Sequence, residues 1–222
     1  TDVDGVYTTD PRITAKARKL EKISYEEMLE LASLGAKVLQ TRSVELAMRF
    51  KVRLRVLSSF EDVTEASGTL VCDEEEIMES NVVNGVAYSR DEAKLTCLSV
   101  ADRPGIAATI FGCLSDAGVN VDMIVQNVSE DGRSTDLTFT VQSADLDRAL
   151  EVLNSAKDEI GYRDLRGATD IAKVSAIGVG MRSHTGVAAT MFRALGAANV
   201  NIRNITTSEI KISCIIDKLT IF

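Results

Sequence analysis

GIAATIFGCLSDAGVNVDMI (105–124) and GVAATMFRALGAANVNIRNI (186–205) are one segment written twice. Half of the aligned positions are identical, and several others exchange one apolar residue for another. Gly105 matches Gly186, Phe111 matches Phe192, Leu114 matches Leu195 and Asn120 matches Asn201. Beyond them, STDLTFTV (134–141) aligns with TSEIKISC (207–214) once a longer hairpin, SEDGR, is allowed in the first copy. Two copies of one module organise the larger part of the chain.

Each copy reads strand, helix, strand, strand. AKLTCLSV (93–100) alternates as a strand, and Pro104 suits the first turn of the helix that follows, where its missing N–H has no partner to lose. IAATIFGCLSDAG is that helix, stopped by Gly118. VNVDMIVQNVS is the second strand, Asp131-Gly132 a hairpin turn, and the next run the third strand. LDRALEVLNSAKDEI adds a second helix with Leu146, Leu150 and Leu153 on one face. The order strand–helix–strand–strand–helix–strand is the ferredoxin-like module. The second copy reaches its third strand, KISCIID, and leaves no room for its second helix before LTIF.

Residues 1–60 read as loop, helix, helix, strand. Ser24 caps YEEMLELASLG, with Glu26 and Glu27 in the first turn, where the helix dipole favours them, and Gly35 as the stop. A second helix starts at Ser43 and runs through VELAMRF. KVRLRVLSS then alternates strictly, which predicts a half-buried strand. Residues 61–80 are acidic without apolar period and read as a linker with at most one short helical turn; Glu74–Glu76 read as a solvated acidic patch.

The totals narrow the function classes. The 222 residues carry a net charge of −8, which argues against a general nucleic-acid binder. A ferredoxin-like RNA binder would also need aromatic residues on its sheet, and VNVDMIVQN and VNIRNITTS contain none. No apolar run approaches the length of a membrane span. The four cysteines are far apart with no CxxC pair, and there is one histidine, so reduced thiols and no metal site are expected.

In each copy a strand ends in a polar loop that enters a helix, ADRPG in the first and MRSHTG in the second. The first amides of a helix lack intrahelical partners and its dipole favours an anion there, so a carboxylate fits. Gly105 and Ala107 let a ligand approach the backbone, Asp102 can take an ammonium group, and Asn120 and Gln126 can read a side chain. The same features are also compatible with a plain capping turn, with Asn120 and Asn201 satisfying local backbone. Lone His184 reads as a hydrogen-bonding spacer and is assigned no chemistry.

TDVDGVYTTDPR (1–12), DRPG, NVDMIVQN, GMRSH and TSEIKIS, in this order, resemble the aspartokinase family over almost the whole chain. Its members phosphorylate aspartate to open lysine, threonine and methionine synthesis. The resemblance implies an α+β fold of tandem ferredoxin-like (βαββαβ) ACT domains preceded by a partial α/β amino-acid-kinase segment. Residues 1–60 would be the C-terminal part of the kinase domain, 61–80 the linker, 81–165 the first ACT domain and 166–222 a truncated second. The first ACT domain would be inserted into the second, with 82–90 (VVNGVAYSR) supplying a strand to the latter.

By the same resemblance, Thr1, Asp2, Tyr7, Thr8, Thr9, Asp10, Pro11, Arg12 and Lys37 match nucleotide-site positions. Asp and Thr oxygens suit ribose hydroxyls or magnesium, Tyr7 offers a flat surface to the base, and Arg12 and Lys37 can balance phosphate charge. In the first ACT domain, Asp102, Gly105, Ile106, Ala107, Asn120, Val121, Asp122 and Gln126 match effector positions. In the second, Val187, Ala188, Asn201, Ile202, Ser208 and Glu209 do, although Ser183 stands where the first copy has Asp102. The effector would be threonine and/or lysine, bound between ACT domains of different chains, in a homo-oligomer or with a catalytic subunit.

ATP and Mg2+ would serve the parent enzyme, none tightly bound by this chain. The family's N-terminal glycine-rich phosphate segment, with its catalytic lysine, and its glycine-rich aspartate-containing segment have no counterpart here, so no catalytic residue and no turnover are expected. The expected function is the regulatory region of a cytoplasmic aspartokinase under feedback inhibition. A separate non-catalytic ACT subunit of a heteromeric enzyme is the alternative.

Overall fold

The computed structural model describes residues 1–60, 62, 68–77, 81–129 and 133–218. Two compact units emerge. One comprises Thr1–Ser89, Val174–Asn201 and Thr207–Cys214; the other comprises Arg90–Lys173, Ile202–Thr206 and Ile215–Phe222.

In the first unit the chain forms β1 (Lys22–Ser24), α1 (Tyr25–Ser33), α2 (Thr41–Arg49), β2 (Leu54–Val56), β3 (Thr69–Cys72) and β4 (Gly85–Ser89). Ser24 and Glu27 close a reciprocal capping box at the start of α1, and Gly35, at φ 105°, follows its end. Met28 and Leu31 of α1 are buried with Ile23, Val44, Val71, Ala87 and Ile177 in one apolar cluster. β3 lies between β1 and β2, parallel to the first and antiparallel to the second.

Three expectations change here. The 61–80 stretch holds the expected short turn, a 3-10 turn at Glu74–Glu76, but also a strand: TLVC is the centre of this sheet. Both neighbours of β3 are three residues long, too short for periodicity to reveal. The strand expected over KVRLRVLSS shrinks to Leu54–Val56, because Lys51 adopts φ 54° and ends α2 instead, with Val52 N–H donating to the Ala47 carbonyl. α2 begins at Thr41, two residues before Ser43.

The second unit holds the first repeat: β5 (Glu92–Ala101), α3 (Ile106–Asp116), β6 (Val121–Val128), β7 (Ser134–Gln142), α4 (Leu146–Ser155), α5 (Lys157–Ile160) and β8 (Asp164–Ala168). Its antiparallel sheet has the order β6-β7-β5-β8, which is the ferredoxin-like arrangement. Leu95, Cys97, Leu137 and Phe139 meet Ile110, Leu114, Ala149 and Leu153 in a fully buried core, and Phe111 stands edge-on to Phe139 at 5.4 Å. The second helix is divided at Ala156, and Gly161, at φ 73°, stops α5. Pro104 sits outside α3: Gly105, at φ 89°, is the N-cap, a left-handed conformation that suits glycine. The Asp131-Gly132 turn and the LTIF end lie outside the described residues.

The second repeat supplies β9 (Ile171–Ile177), a 3-10 turn (Val179–Arg182), α6 (Val187–Ala197), β10 (Ile202–Thr207) and β11 (Lys211–Asp217). Their sheet runs β10-β11-β9-β4. β4, drawn from before the first repeat, thus stands beside β9 as β8 stands beside β5. Ile106, Ile110 and Leu114 of α3 are buried, whereas their counterparts Val187, Met191 and Leu195 of α6 are half-buried. Among the described residues the second copy has no counterpart of α4.

Candidate functional site

The N-terminal segment folds back on residues 18–20. Tyr7 and Lys19 form an isolated bridge, and Leu20 N–H donates to the Val6 carbonyl. Thr69 Oγ1, fully buried, accepts from Val6 N–H at 2.8 Å and donates to the Leu20 carbonyl at 2.6 Å, so β3 locks this turn in place. The close approach requires glycine at position 5, where a Cβ would stand 2.8 Å from both Thr69 Oγ1 and Lys19. The Thr8 carbonyl accepts from Val86 N–H of β4 at 2.8 Å.

Several oxygens expected at a nucleotide are already engaged. Asp10 accepts from Arg12 Nε at 3.0 Å and from its terminal nitrogen at 2.7 Å; these bonds hold the Asp10 carboxyl below the usual carboxylate range and raise Arg12. Tyr7 Oη donates to Asp4. Burial pushes Asp4 up, but hydrogen bonds from Lys19 and Tyr7 outweigh it and leave the carboxyl low. Thr1, Asp2, Pro11, Arg12 and Lys37 are exposed, and Thr8, Thr9 and Asp10 are half-buried. The hydroxyls and cations present suit a nucleotide's ribose and phosphates. Among the described residues no three carboxylate, histidine or cysteine side chains gather in one place.

At the first repeat's helix entrance, Asp102, Gly105 and Ala107 are exposed, and a Cβ on Gly105 would meet nothing within 4 Å. A β-bulge between Cys97 and Val100 sets the angle of this loop; Ser99 takes φ 53° there and its N–H donates to Asp136 at 2.8 Å. Asn120 and Gln126 are exposed, Ile106 is core, and Val121 packs against that core. Asp122 accepts from Lys173 Nζ, which also pairs with buried Glu92.

The second entrance is a formed crevice of about 580 Å³. Gly186, at φ 89°, caps α6, and a Cβ there would meet nothing within 4 Å. Val187 and Ala188 wall it from the helix, Ser208 and Glu209 from the turn between β10 and β11. These four were expected, and the structure brings them together; Asn201 and Ile202 are not among the crevice walls. Sequence reasoning passed over Met181, Arg182, Thr207 and Ile212, and assigned His184 only a spacer role. The His184 Nδ1 lies 2.9 Å from the Gly180 carbonyl and 3.1 Å from Ser183 Oγ, which fixes its ring at the rim.

Arg182 is the crevice's cation. It donates to Glu74 at 2.8 Å and to Glu26 at 2.7 Å, and its Nε lies 3.5 Å from Glu209. Burial lowers the guanidinium's pKa, but Glu26, Glu74 and Glu209 together raise it, so it stays charged. The signal available in the sequence was the MRSH loop itself, a polar helix entrance that carries an Arg one residue before the position matched to Asp102. The crevice thus sets a guanidinium, a hydroxyl and a carboxylate beside the start of α6.

Residues 98–156 and 174–220 match the ACT domain family, and residues 1–58 match the amino acid kinase family. An aspartate kinase of Stutzerimonas stutzeri is 58% identical over 98% of this chain and 52% of its own length. The regulatory subunit of aspartate kinase from Thermus thermophilus is 40% identical, superposes with a TM-score of 0.59, and is covered over 91% of its length by 63% of this chain. The chain belongs to the aspartokinase family. E. coli aspartokinase III in complex with lysine and aspartate is 28% identical with a TM-score of 0.74, over 99% of this chain and 47% of that one. This aspartokinase chain therefore spans about half the length of the curated relatives it matches, combining an amino-acid-kinase segment with the regulatory ACT region.

Proposed function

We propose that the chain is the allosteric regulatory region of an aspartokinase that converts ATP and L-aspartate to 4-phospho-L-aspartate in the cytoplasm. An end-product amino acid, threonine and/or lysine, binds at the ACT domains and inhibits the enzyme. The observation that carries this proposal is the crevice at α6, where Arg182 and the free helix amides suit a carboxylate and Glu209 suits an ammonium group. The lysine bound by E. coli aspartokinase III supports the effector class.

Regulation is a population shift. An effector that binds better to one arrangement of paired ACT domains favours that arrangement, and the kinase segment follows. Pairing of ACT domains between two chains, into a homo-oligomer, completes the effector site of each. ATP and Mg2+ belong to the parent enzyme; Thr1, Asp2, Tyr7–Arg12 and Lys37 of this chain would line one side of the nucleotide.

A second reading, a separate regulatory subunit paired with a catalytic chain, is favoured by the near-complete cover of the Thermus thermophilus subunit. The match of residues 1–58 to the amino acid kinase family favours the first. Intact mass of the natural product separates them. Crystals soaked separately in L-threonine and L-lysine test the site: density for either beside Ala188 and Ser208 is expected, and clean solvent there at millimolar concentration would remove the proposal.

A further inference from the structure

The crevice and the kinase segment share one side chain. Arg182 belongs to the crevice wall, yet its two terminal nitrogens are committed elsewhere: one to Glu26 in the first turn of α1, the other to Glu74 in the 3-10 turn after β3. Only its third nitrogen, Nε, faces the crevice carboxylate Glu209, at the longest of the three distances, and the Glu209 side chain is 83% exposed. One cation thus faces three carboxylates, one on each of three elements.

The neighbouring bonds make α1 a stiff receiver. Glu27, next to Glu26, is fully buried and accepts from Val179 N–H at 2.9 Å, at the head of the 3-10 turn that carries Arg182. One turn further along α1, Glu30 takes the Lys211 ammonium at 2.8 Å. Glu26 and Glu74 also wall a second cavity, of about 530 Å³, together with Tyr25, Met48 and Lys51 of the kinase segment.

We infer that Arg182 is the transmitting residue of this regulatory region, a positioning residue through which a carboxylate bound in the α6 crevice orders the first turn of α1 and the Glu74–Glu76 turn. The inference rests on the crevice being the amino-acid site. An incoming carboxylate competes with the weakest partner, Glu209, for Nε, and leaves the bonds to Glu26 and Glu74 in place. Fixing the guanidinium from a third side holds both carboxylates, because its fork is planar and rigid. The ordering is a coupling free energy between the crevice and the kinase segment.

Hydrogen exchange followed by mass spectrometry, with L-lysine and L-threonine each added at saturating concentration, tests it. In the unaltered protein, amides of Ser24–Ser33 and Asp73–Ile77 should exchange at least about 5-fold more slowly with the bound amino acid. In the double variant Glu26→Gln, Glu74→Gln, binding heat should persist while that protection disappears. Heat without protection in the unaltered protein, or protection that survives the double variant, overturns the coupling and leaves the crevice proposal standing. Absence of heat with both amino acids overturns the crevice proposal and the coupling with it.

Discussion

Replacing Glu27 with alanine should unfold the protein at markedly lower urea concentration, although the residue touches no ligand. Its carboxylate is fully buried and, among the described residues, meets no cation; four donors hold it. One oxygen accepts from Asn84 Nδ2 at 2.8 Å and Val179 N–H at 2.9 Å, the other from Ser24 Oγ at 3.0 Å and Ser24 N–H at 3.3 Å. Truncation leaves at least the Asn84 and Val179 donors buried without a partner. At about 1–3 kcal/mol for each stranded group, the loss is about 2–6 kcal/mol. The glutamine variant keeps one acceptor but turns an N–H2 group toward the Ser24 donors, so it should fall between the two. Urea unfolding monitored by circular dichroism measures all three. An alanine variant within about 1 kcal/mol of the original would refute the assignment of Glu27 as the buried tie between α1, β4's approach and the 3-10 turn.

Gly180→Ala should cost about 1–3 kcal/mol, because a Cβ there would stand 2.7 Å from the Val82 Cα and 2.9 Å from the Asn81 carbonyl oxygen; a thermal melt indistinguishable from the original would contradict this packing. Burial pushes the thiols of Cys97 and Cys214 up to about 11, so iodoacetamide at pH 8 should modify half-buried Cys113 first and reach Cys97 and Cys214 only on unfolding, as peptide mapping will show. Lys173 is raised: burial lowers it, but its hydrogen bonds to Asp122 and Glu92 prevail. A raised lysine stabilises fully below its unfolded pKa of about 10.4 and loses that contribution as pH climbs through the folded value. The urea midpoints of the original and Lys173→Arg should thus keep a constant difference up to about pH 10 and diverge above it; a constant difference throughout would remove the triad from the stability account.

The duplicated segment carried most of the fold, because strands of six to ten residues and eleven-residue helices give apolar periods long enough to read. The capping box at Ser24 was legible for a local reason, the Ser-x-x-Glu spacing. What stayed hidden was short or non-local. β1 and β2 are three residues each, and β3 is defined as a strand only by its two neighbours, so TLVC passed for linker. The crevice was half legible: Val187, Ala188, Ser208 and Glu209 follow from the repeat and the resemblance. Arg182 did not, since its role comes from Glu26 and Glu74, more than a hundred residues away in sequence. Charge pairing over such separations leaves no periodic mark.

The proposed regulation depends on a small amino acid held at the start of α6. Calorimetric titration of L-threonine and L-lysine into the protein and into Ala188→Trp, whose indole would fill the crevice, tests it most directly. Saturable heat with at least one of them, abolished by the tryptophan, is predicted. Silence with both at millimolar concentration, or heat undiminished in Ala188→Trp, would contradict it.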